Sequence, residues 1–433
     1  MNDQNPRQIA ARVLSQRLTS GEFTENLLDI ALATARLSPA DRGLCHELVC
    51  GVVRWQTTLD RLIARKTTPG REPRPALVNL LRLGLYQIFW LDRIPPHAAV
   101  HETVEQAKRA GYISQSGFIN AILRAYLREF DEVKKILADM KTSQPALGWS
   151  QPEWLVEKWR KNFGDANMQQ LLEWNNTPAK TYARINTLKT DAAKLVARWR
   201  EENVEYDFFT RDWTGENLVF ELKSHPPLSS LGSLRDGWFY LQDPSTLLAP
   251  VLLGVQVGET VWDMCAAPGG KTAFLAQLMD DTGKLVASDL DPNRLKLVRE
   301  NCTRLGVTCA ETMVSATINA RTQTQFDRVL IDAPCSNTGV MRRRVDLRWR
   351  IQATEIDRIR ATQLGLLHEA AAKLKPGGVL VYSTCSLEPE ENSELVKEFL
   401  AANPSFKLET ERQLLPFADG VDGAYVARLK HIP

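Results

Sequence analysis

The chain is predicted to combine a doubly wound α/β domain with an all-helical N-terminal domain, joined by a small α+β part. Three observations predict this. Short apolar strands alternate with helices from residue 236 onward, and apolar residues recur at helical spacing through residues 7–135. The ends of successive strands in the C-terminal part carry a glycine turn, an acid or a cysteine, which is where open α/β sheets bind ligands.

In chain order, Ile9, Val13, Leu14 and Leu18, then Leu27, Leu28 and Leu32, then Leu59, Leu62 and Ile63 lie on helical stripes. Ser38-Pro39 and Pro95-Pro96 punctuate these helices, since proline suits a first helical position. The pattern loosens at 136–150, where Gln144-Pro145 marks a linker, so the first domain is drawn at 1–140. Residues 141–235 mix helix (Trp154 to Phe163, Met168 to Trp174) with strand-like stretches at 181–185 and 218–220, and read as a linker and small α+β subdomain. In 236–433, strands are expected at 260–264, 284–288, 327–331 and 379–383, with a helix from Asn293 to Leu305. Strand, glycine turn, helix and strand in that order imply a parallel sheet.

A length of 433 residues calls for two or three domains, and 44% hydrophobic with 24% charged residues is ordinary for globular chains. The net charge of +2 is uninformative, but cations exceed acids along 1–140, and Arg342, Arg343, Arg344, Arg348 and Arg350 form a basic run. Such clusters can contact phosphates, or can be no more than a solvated face. Seven scattered cysteines without a CxxC pair exclude a disulfide framework and a zinc ribbon. His46-Glu47 opens an HExxH-like string that ends in Cys50, so no metal site is expected. There is no apolar stretch of about 18 residues and no signal-like N-terminus, which points to a soluble protein in a reducing cytoplasm.

Cys265-Ala266-Ala267-Pro268-Gly269-Gly270-Lys271-Thr272 follows the first of these strands and opens a helix. Paired glycines allow a tight turn and close backbone approach. Asp289 ends the next strand, where an acid can accept from ribose hydroxyls, so loop and acid suit a nucleoside-bearing cofactor. A phosphate loop is the competing reading of Gly270-Lys271-Thr272, but Cys265 stands where its first glycine belongs.

Asp332-Ala333-Pro334-Cys335-Ser336 and Ser383-Thr384-Cys385-Ser386 end two further strands. Two cysteines and an acid beside a cofactor loop have a chemical rationale. C5 of cytosine is a weak nucleophile towards a methyl sulfonium. A thiolate added at C6 makes C5 reactive, and a base must then take the C5 proton. Asp332 can support the ring by hydrogen bonding. Cys45, Cys50, Cys302 and Cys309 read as buried inert thiols, and Cys265 as loop lining. Setting alone does not choose between Cys335 and Cys385 as nucleophile.

The motifs at 265–271, 332–336 and 384–386 resemble the signatures of the Sun/NOL1/NOP2 family of RNA cytosine-5 methyltransferases. The N-terminal residues 93–98 and 118–124 are similar to the NusB-like RNA-binding domain fused to its bacterial members. The resemblance implies a Rossmann-like methyltransferase domain, S-adenosyl-L-methionine as cofactor and a cytosine of 16S ribosomal RNA as substrate, in a monomer. It further implies that residues 265–271, Asp289 and Asp332 hold the cofactor, that Cys385 is the nucleophile, and that Cys335 assists product release. The family places an acid near the adenine after a strand between Asp289 and Asp332; here Met313–Thr317 carries Ala316 instead, and that contact is not assigned. Two other readings stand beside this one: an RNA-binding protein with an impaired catalytic domain, and a methyltransferase acting on another RNA, a protein or a small molecule. A thiol–RNA adduct separates them.

Overall fold

The computed structural model describes residues 5–68, 70, 72–321 and 325–432. Its contacts divide the chain into two compact units: residues 1–178 with 341–350, and 179–340 with 351–433.

The first unit is helical. Its helices include Pro6–Arg17, Pro39–Arg54, Pro75–Trp90, Pro96–Arg109 and Ser116–Arg128. Ser38 accepts from the Asp41 N–H at 3.1 Å and Pro39 begins the helix, so the signal read in sequence is a working N-cap. Ile9, Val13, Leu14, Leu59, Leu62 and Ile63 are buried, whereas Leu18, at the C-cap of the first helix, is exposed. The helices expected at 154–163 and 168–174 form one run, Glu153–Asn175, broken at Gly164 (φ 78°, ψ 166°). This run packs in the helical unit, so the part of the expected middle domain before residue 179 belongs there.

Within the basic run the phosphate-contact reading is overturned for Arg342 and Arg348, which are buried, while Arg344 is exposed. Arg348 is 1% exposed. It donates to the carbonyls of Arg54 (3.0 Å) and Asn175 (3.0 Å) and to Asn176 Oδ1 (2.8 Å). Arg342 stacks on Trp174 at 4.0 Å, and Arg350 donates to the Gly21 carbonyl at 2.7 Å. These guanidiniums stitch residues 341–350 into the helical unit and do not form a solvated patch.

The second unit contains two sheets. β1 (Thr181–Ile185), β2 (Glu205–Phe209), β3 (Val219–Ser224) and β4 (Phe239–Leu241) form an antiparallel sheet in the order β2-β3-β1-β4. Ala183, Ile185, Phe220 and Phe239 share its core with Leu195 and Trp199 of the helix Ala192–Glu201. β4 has three residues and lies beyond the boundary expected at 235; so short a strand gives little alternation to read.

The larger sheet contains β5 (Thr260–Met264), β6 (Lys284–Asp289), β7 (Ala310–Val314), β8 (Phe326–Asp332), β9 (Leu374–Thr384), β10 (Phe406–Leu414) and β11 (Ala424–His431). Their order is β10-β11-β9-β8-β5-β6-β7. β5 to β9 pair in parallel, as expected, while β11 and β10 are antiparallel and were not anticipated. Both faces are covered. Val261, Leu330, Val379 and Val381 point into one core, and Trp262, Met264, Val329, Ile331, Leu380 and Tyr382 into the other. Burial on both faces explains why these strands read as continuous apolar runs. Strand order reverses at β5, which leaves a crevice at the carboxyl ends of β5 and β8. No helix among the described residues is long and apolar enough to cross a membrane.

Candidate active site

The carboxyl ends of β5, β6, β8 and β9 bring the candidate residues of the sequence into one region. After β5, Cys265 adopts a left-handed φ of 59° and Gly269 a φ of 101°. The Ala266 N–H donates to Ser288 O at 2.8 Å and the Gly269 N–H to Ala266 O at 2.8 Å, which closes the loop over the end of β6. A Cβ on Gly269 would meet Val298 Cα at 3.2 Å, and one on Gly270 would meet the Tyr240 ring at 2.7 Å. The glycine pair is therefore required by packing against the helix Pro292–Leu305 and against β4, in addition to any ligand. Pro268 is exposed, and its carbonyl accepts from Asn301 at 2.9 Å.

Asp289, at the end of β6, is 3% exposed and faces the Ala267 N–H at 3.4 Å and Arg294 at 3.3 Å. Lys271 Nζ, from the first turn of the helix Gly270–Leu278, lies 2.6 Å from Asp332 Oδ2. Burial would lower the Lys271 pKa, but Asp332 outweighs it and the net shift is upward. Asp332 also accepts from Ser383 Oγ at 3.2 Å. It thus sits in an ion pair that the sequence does not announce.

The two cysteines meet. Cys335 Sγ and Cys385 Sγ are 3.1 Å apart, and Cys385 Sγ donates to Asn337 Oδ1 at 3.1 Å. A small cavity is lined by Ser245, Lys271, Asp332, Thr384, Cys385 and Gly423, among others. Cys335 lies behind Cys385, 9% exposed. Its hydrogen bond to Cys385, its burial and the nearby Glu391 all push its pKa well above that of an ordinary thiol. Structure therefore distinguishes two cysteines that sequence left equivalent.

The other thiols keep the inert reading. Burial, with Asp332, Asp289 and Asp263 close by, pushes Cys265 up to about 12. Burial likewise raises Cys45, Cys50, Cys302 and Cys309, and all seven cysteines are free. Among the described residues no group of His, Cys, Asp and Glu could hold a metal ion. Ala316 is exposed in the helix Ser315–Arg321, because β7 already ends at Val314.

Three residues were missed. Asn337, at a left-handed φ of 60°, bridges both cysteine turns, donating to Cys335 O at 2.6 Å while accepting from Cys385. The Asn-Thr-Gly string after Ser336 was the available signal, since asparagine tolerates that backbone. Asp263, under the glycine loop, accepts from Thr272 at 2.5 Å and is raised to about 7 by burial, partly opposed by Thr272. Glu391 is fully buried and contacts the residue after each cysteine. Nothing local in Pro389-Glu390-Glu391-Asn392 signals that role.

Comparison with known proteins agrees with this layout. A family model described as 16S rRNA methyltransferase RsmB/F matches residues 250–430. A NusB family model matches 4–128, and a ferredoxin-like domain model of RsmF/B-like methyltransferases matches 151–211. The chain is 33% identical to the probable ribosomal RNA small subunit methyltransferase B of Bacillus subtilis, over 99% of both chains. It is 35% identical to the ribosomal RNA small subunit methyltransferase B of Vibrio cholerae, over 98% of this chain and 97% of that one. A solved methyltransferase homologue protein from Pyrococcus horikoshii, 30% identical, superposes with a TM-score of 0.58 over 66% of this chain and 97% of its own.

Proposed function

The chain belongs to the family of ribosomal RNA small subunit methyltransferases B, and we propose on that footing that it methylates C5 of a cytosine in 16S ribosomal RNA through a covalent Cys385–C6 adduct. The observation that carries the covalent reading is the pair of thiols 3.1 Å apart, of which Cys385 lines the cavity with Lys271 and Asp332 while Cys335 lies behind it. Direct methyl transfer to nitrogen or oxygen gives such a pair no task.

Residues 265–271, Asp289 and Asp332 fit S-adenosyl-L-methionine. Gly269 at φ 101° holds the loop against the helix 292–305, and Asp289 closes β6 beside it, the arrangement that suits a nucleoside at the switch point of an α/β sheet. When bound, the cofactor would supply an electrophilic methyl group on a sulfonium sulfur.

The residues of the chain do the rest. A target base turned out of its stack enters the cavity. The Cys385 thiolate adds to C6, which makes the ring enamine-like and C5 nucleophilic. Asp332, fixed by Lys271, offers its carboxylate to the polar edge of the ring. After C5 is methylated, a base takes the C5 proton, the Cys385 thiolate leaves and the ring is restored; the nearness of Cys335 to Cys385 supports its assisting this release. The helical unit contributes RNA capture. His97, His101, Asn120 and Arg124, with Lys108 paired to Glu105, line one groove between the helices 96–109 and 116–128, which supports phosphate contacts by this unit.

Denaturing electrophoresis with 16S rRNA and labelled cofactor tests the assignment. Cys385→Ala should abolish methylation and any covalent complex. Cys335→Ala should still attack and methylate but stall, so that a protein–RNA adduct accumulates. The reverse pattern exchanges the two roles, and adducts in neither variant remove the covalent mechanism.

A further inference from the structure

Each cysteine is followed by a serine, Ser336 and Ser386, and both serines converge on one carboxylate. Glu391 Oε1 accepts from the Ser336 N–H at 2.9 Å, and Oε2 accepts from Ser336 Oγ and from Ser386 Oγ, the latter at 2.5 Å. The two hydroxyls also touch each other at 3.0 Å. Gln363 completes the arrangement: its Nε2 donates to Glu391 Oε1 at 3.0 Å and to the carbonyl of Pro334, the residue before Cys335, at 2.9 Å. Glu391 is 0% exposed, so water does not compete for these bonds.

A carboxylate buried without a cation is costly unless hydrogen-bond donors saturate it. The donors here are placed so that they also fix the chain on both sides of the reacting sulfurs. Neither loop alone determines the 3.1 Å between Cys335 and Cys385, because the cysteines lie 50 residues apart in sequence. We infer that Glu391 is a positioning residue for the reaction, its buried carboxylate clamping the two turns and so setting the separation of the two thiols. The inference rests on the covalent reading above. Attack needs only Cys385 in place, whereas release needs both sulfurs correctly set against one ring. Loosening the clamp therefore impairs release before attack.

The test uses the full-length protein and the variant Glu391→Gln, which keeps the shape but replaces one acceptor with a donor. The first measurement is independent of RNA. Diamide takes two hydrogens from a neighbouring thiol pair and leaves a disulfide, so the rate of appearance of the Cys335–Cys385 bond by peptide mass reports their proximity. That rate should fall about tenfold in the variant, the scale expected when reacting atoms are misplaced by a fraction of an ångström to an ångström. The second is electrophoresis with 16S rRNA and cofactor, in which Glu391→Gln should accumulate adduct as a partial copy of Cys335→Ala. Ser336→Ala, which removes one arm, should show both effects in weaker form and serves if Glu391→Gln does not fold. Disulfide formation within about twofold of native in the folded variants overturns the inference, as does parallel slowing of attack and release. If neither Cys335→Ala nor Cys385→Ala forms an RNA adduct, the covalent reading fails, and the diamide rates still decide whether the clamp sets the thiol pair.

Discussion

Arg348 in the helical unit and Glu391 in the catalytic unit are both ionisable, both buried, and both held by neutral groups, although Arg348 Nε has no partner among the described residues. Arg348 donates to backbone carbonyls and one amide oxygen from residues 54, 175 and 176. Glu391 accepts from hydroxyls, an amide and a backbone N–H. The physical device is the same, and the outcome depends on what the partners adjoin. Partners of Arg348 are helix ends and linkers, so its network joins segments distant in sequence. Partners of Glu391 adjoin cysteines, so its network has chemical consequences. A buried charge identifies a place where geometry is enforced; the neighbouring residues tell whether the enforced geometry is structural or catalytic.

The comparison breaks if Arg348 proves dispensable. Burial, together with the nearby Arg54, lowers its pKa to about 9, yet its carbonyl partners hold it in place. Arg348→Leu leaves those acceptors without a donor, at about 1–3 kcal/mol apiece, so a loss of about 5 kcal/mol is expected in denaturant unfolding. The diamide rate of Cys335 and Cys385, read under conditions where the variant is folded, should remain native. Stability within about 1 kcal/mol of native would show that the 341–350 segment is held by its other contacts.

A third buried ionisable group sharpens the contrast, because a single hydroxyl bonds its carboxyl. Asp263 is 0% exposed, with Thr272 on Oδ2 and no partner on Oδ1 among the described residues. Burial raises its pKa from 3.8 to about 7. The folded protein thus keeps this proton up to about pH 7, while the unfolded chain releases it near 3.8. Between those values the native state binds more protons, so this group makes stability fall as pH rises. At about 1.4 kcal/mol per unit the limit is about 4 kcal/mol above pH 7. Asp263→Asn removes the titration. The variant should melt several degrees above native at pH 8, and the gap should shrink to less than half of that at pH 5. Equal differences at the two pH values would mean that Asp263 ionises as freely in the fold as outside it.

Legibility in the sequence followed the range of the interactions. β1 and β5 were read to the residue, because apolar runs bounded by turn residues are local signals. The glycine loop, Asp289, Asp332 and both cysteine turns were legible for a similar reason: each motif sits at the end of such a strand. β10 and β11 were not, since their polar and apolar residues report an edge hairpin only once β9 is there to pair with. The burial of Arg348 was not legible because composition cannot tell a solvated guanidinium from one that finds carbonyls more than 150 residues away. Glu391 and the Lys271–Asp332 pair escaped notice because their partners come from elements distant in sequence. The unequal depth of Cys335 and Cys385 in the cavity is encoded in no string of residues, and motif resemblance alone separated the two in sequence.

The smallest expected effect concerns Gly270, where sequence and structure give different reasons for one outcome. Sequence reasoning reserves both glycines for close approach of a ligand. In the structure Gly269 has the left-handed backbone, while Gly270 begins a helix with an ordinary one. A Cβ at Gly270 would strike Tyr240 at 2.7 Å and Gln242 at 3.1 Å. Tyr240 is not free to yield, since it lies between the guanidiniums of Arg184 and Arg304, with centroid distances of 6.0 and 5.8 Å. The strain must therefore pass into the loop, displacing Lys271 and with it the Asp332 ion pair. Gly270→Ala should weaken S-adenosyl-L-methionine about tenfold in calorimetric titration, equivalent to about 1.4 kcal/mol. Tyr240→Leu in the same chain should recover much of that loss, because a branched aliphatic side chain vacates the position of the ring. Recovery would place the constraint in the packing of β4 against the loop. An unrelieved loss would return it to direct contact with the ligand, and unchanged binding by Gly270→Ala would remove Gly270 from the cofactor site.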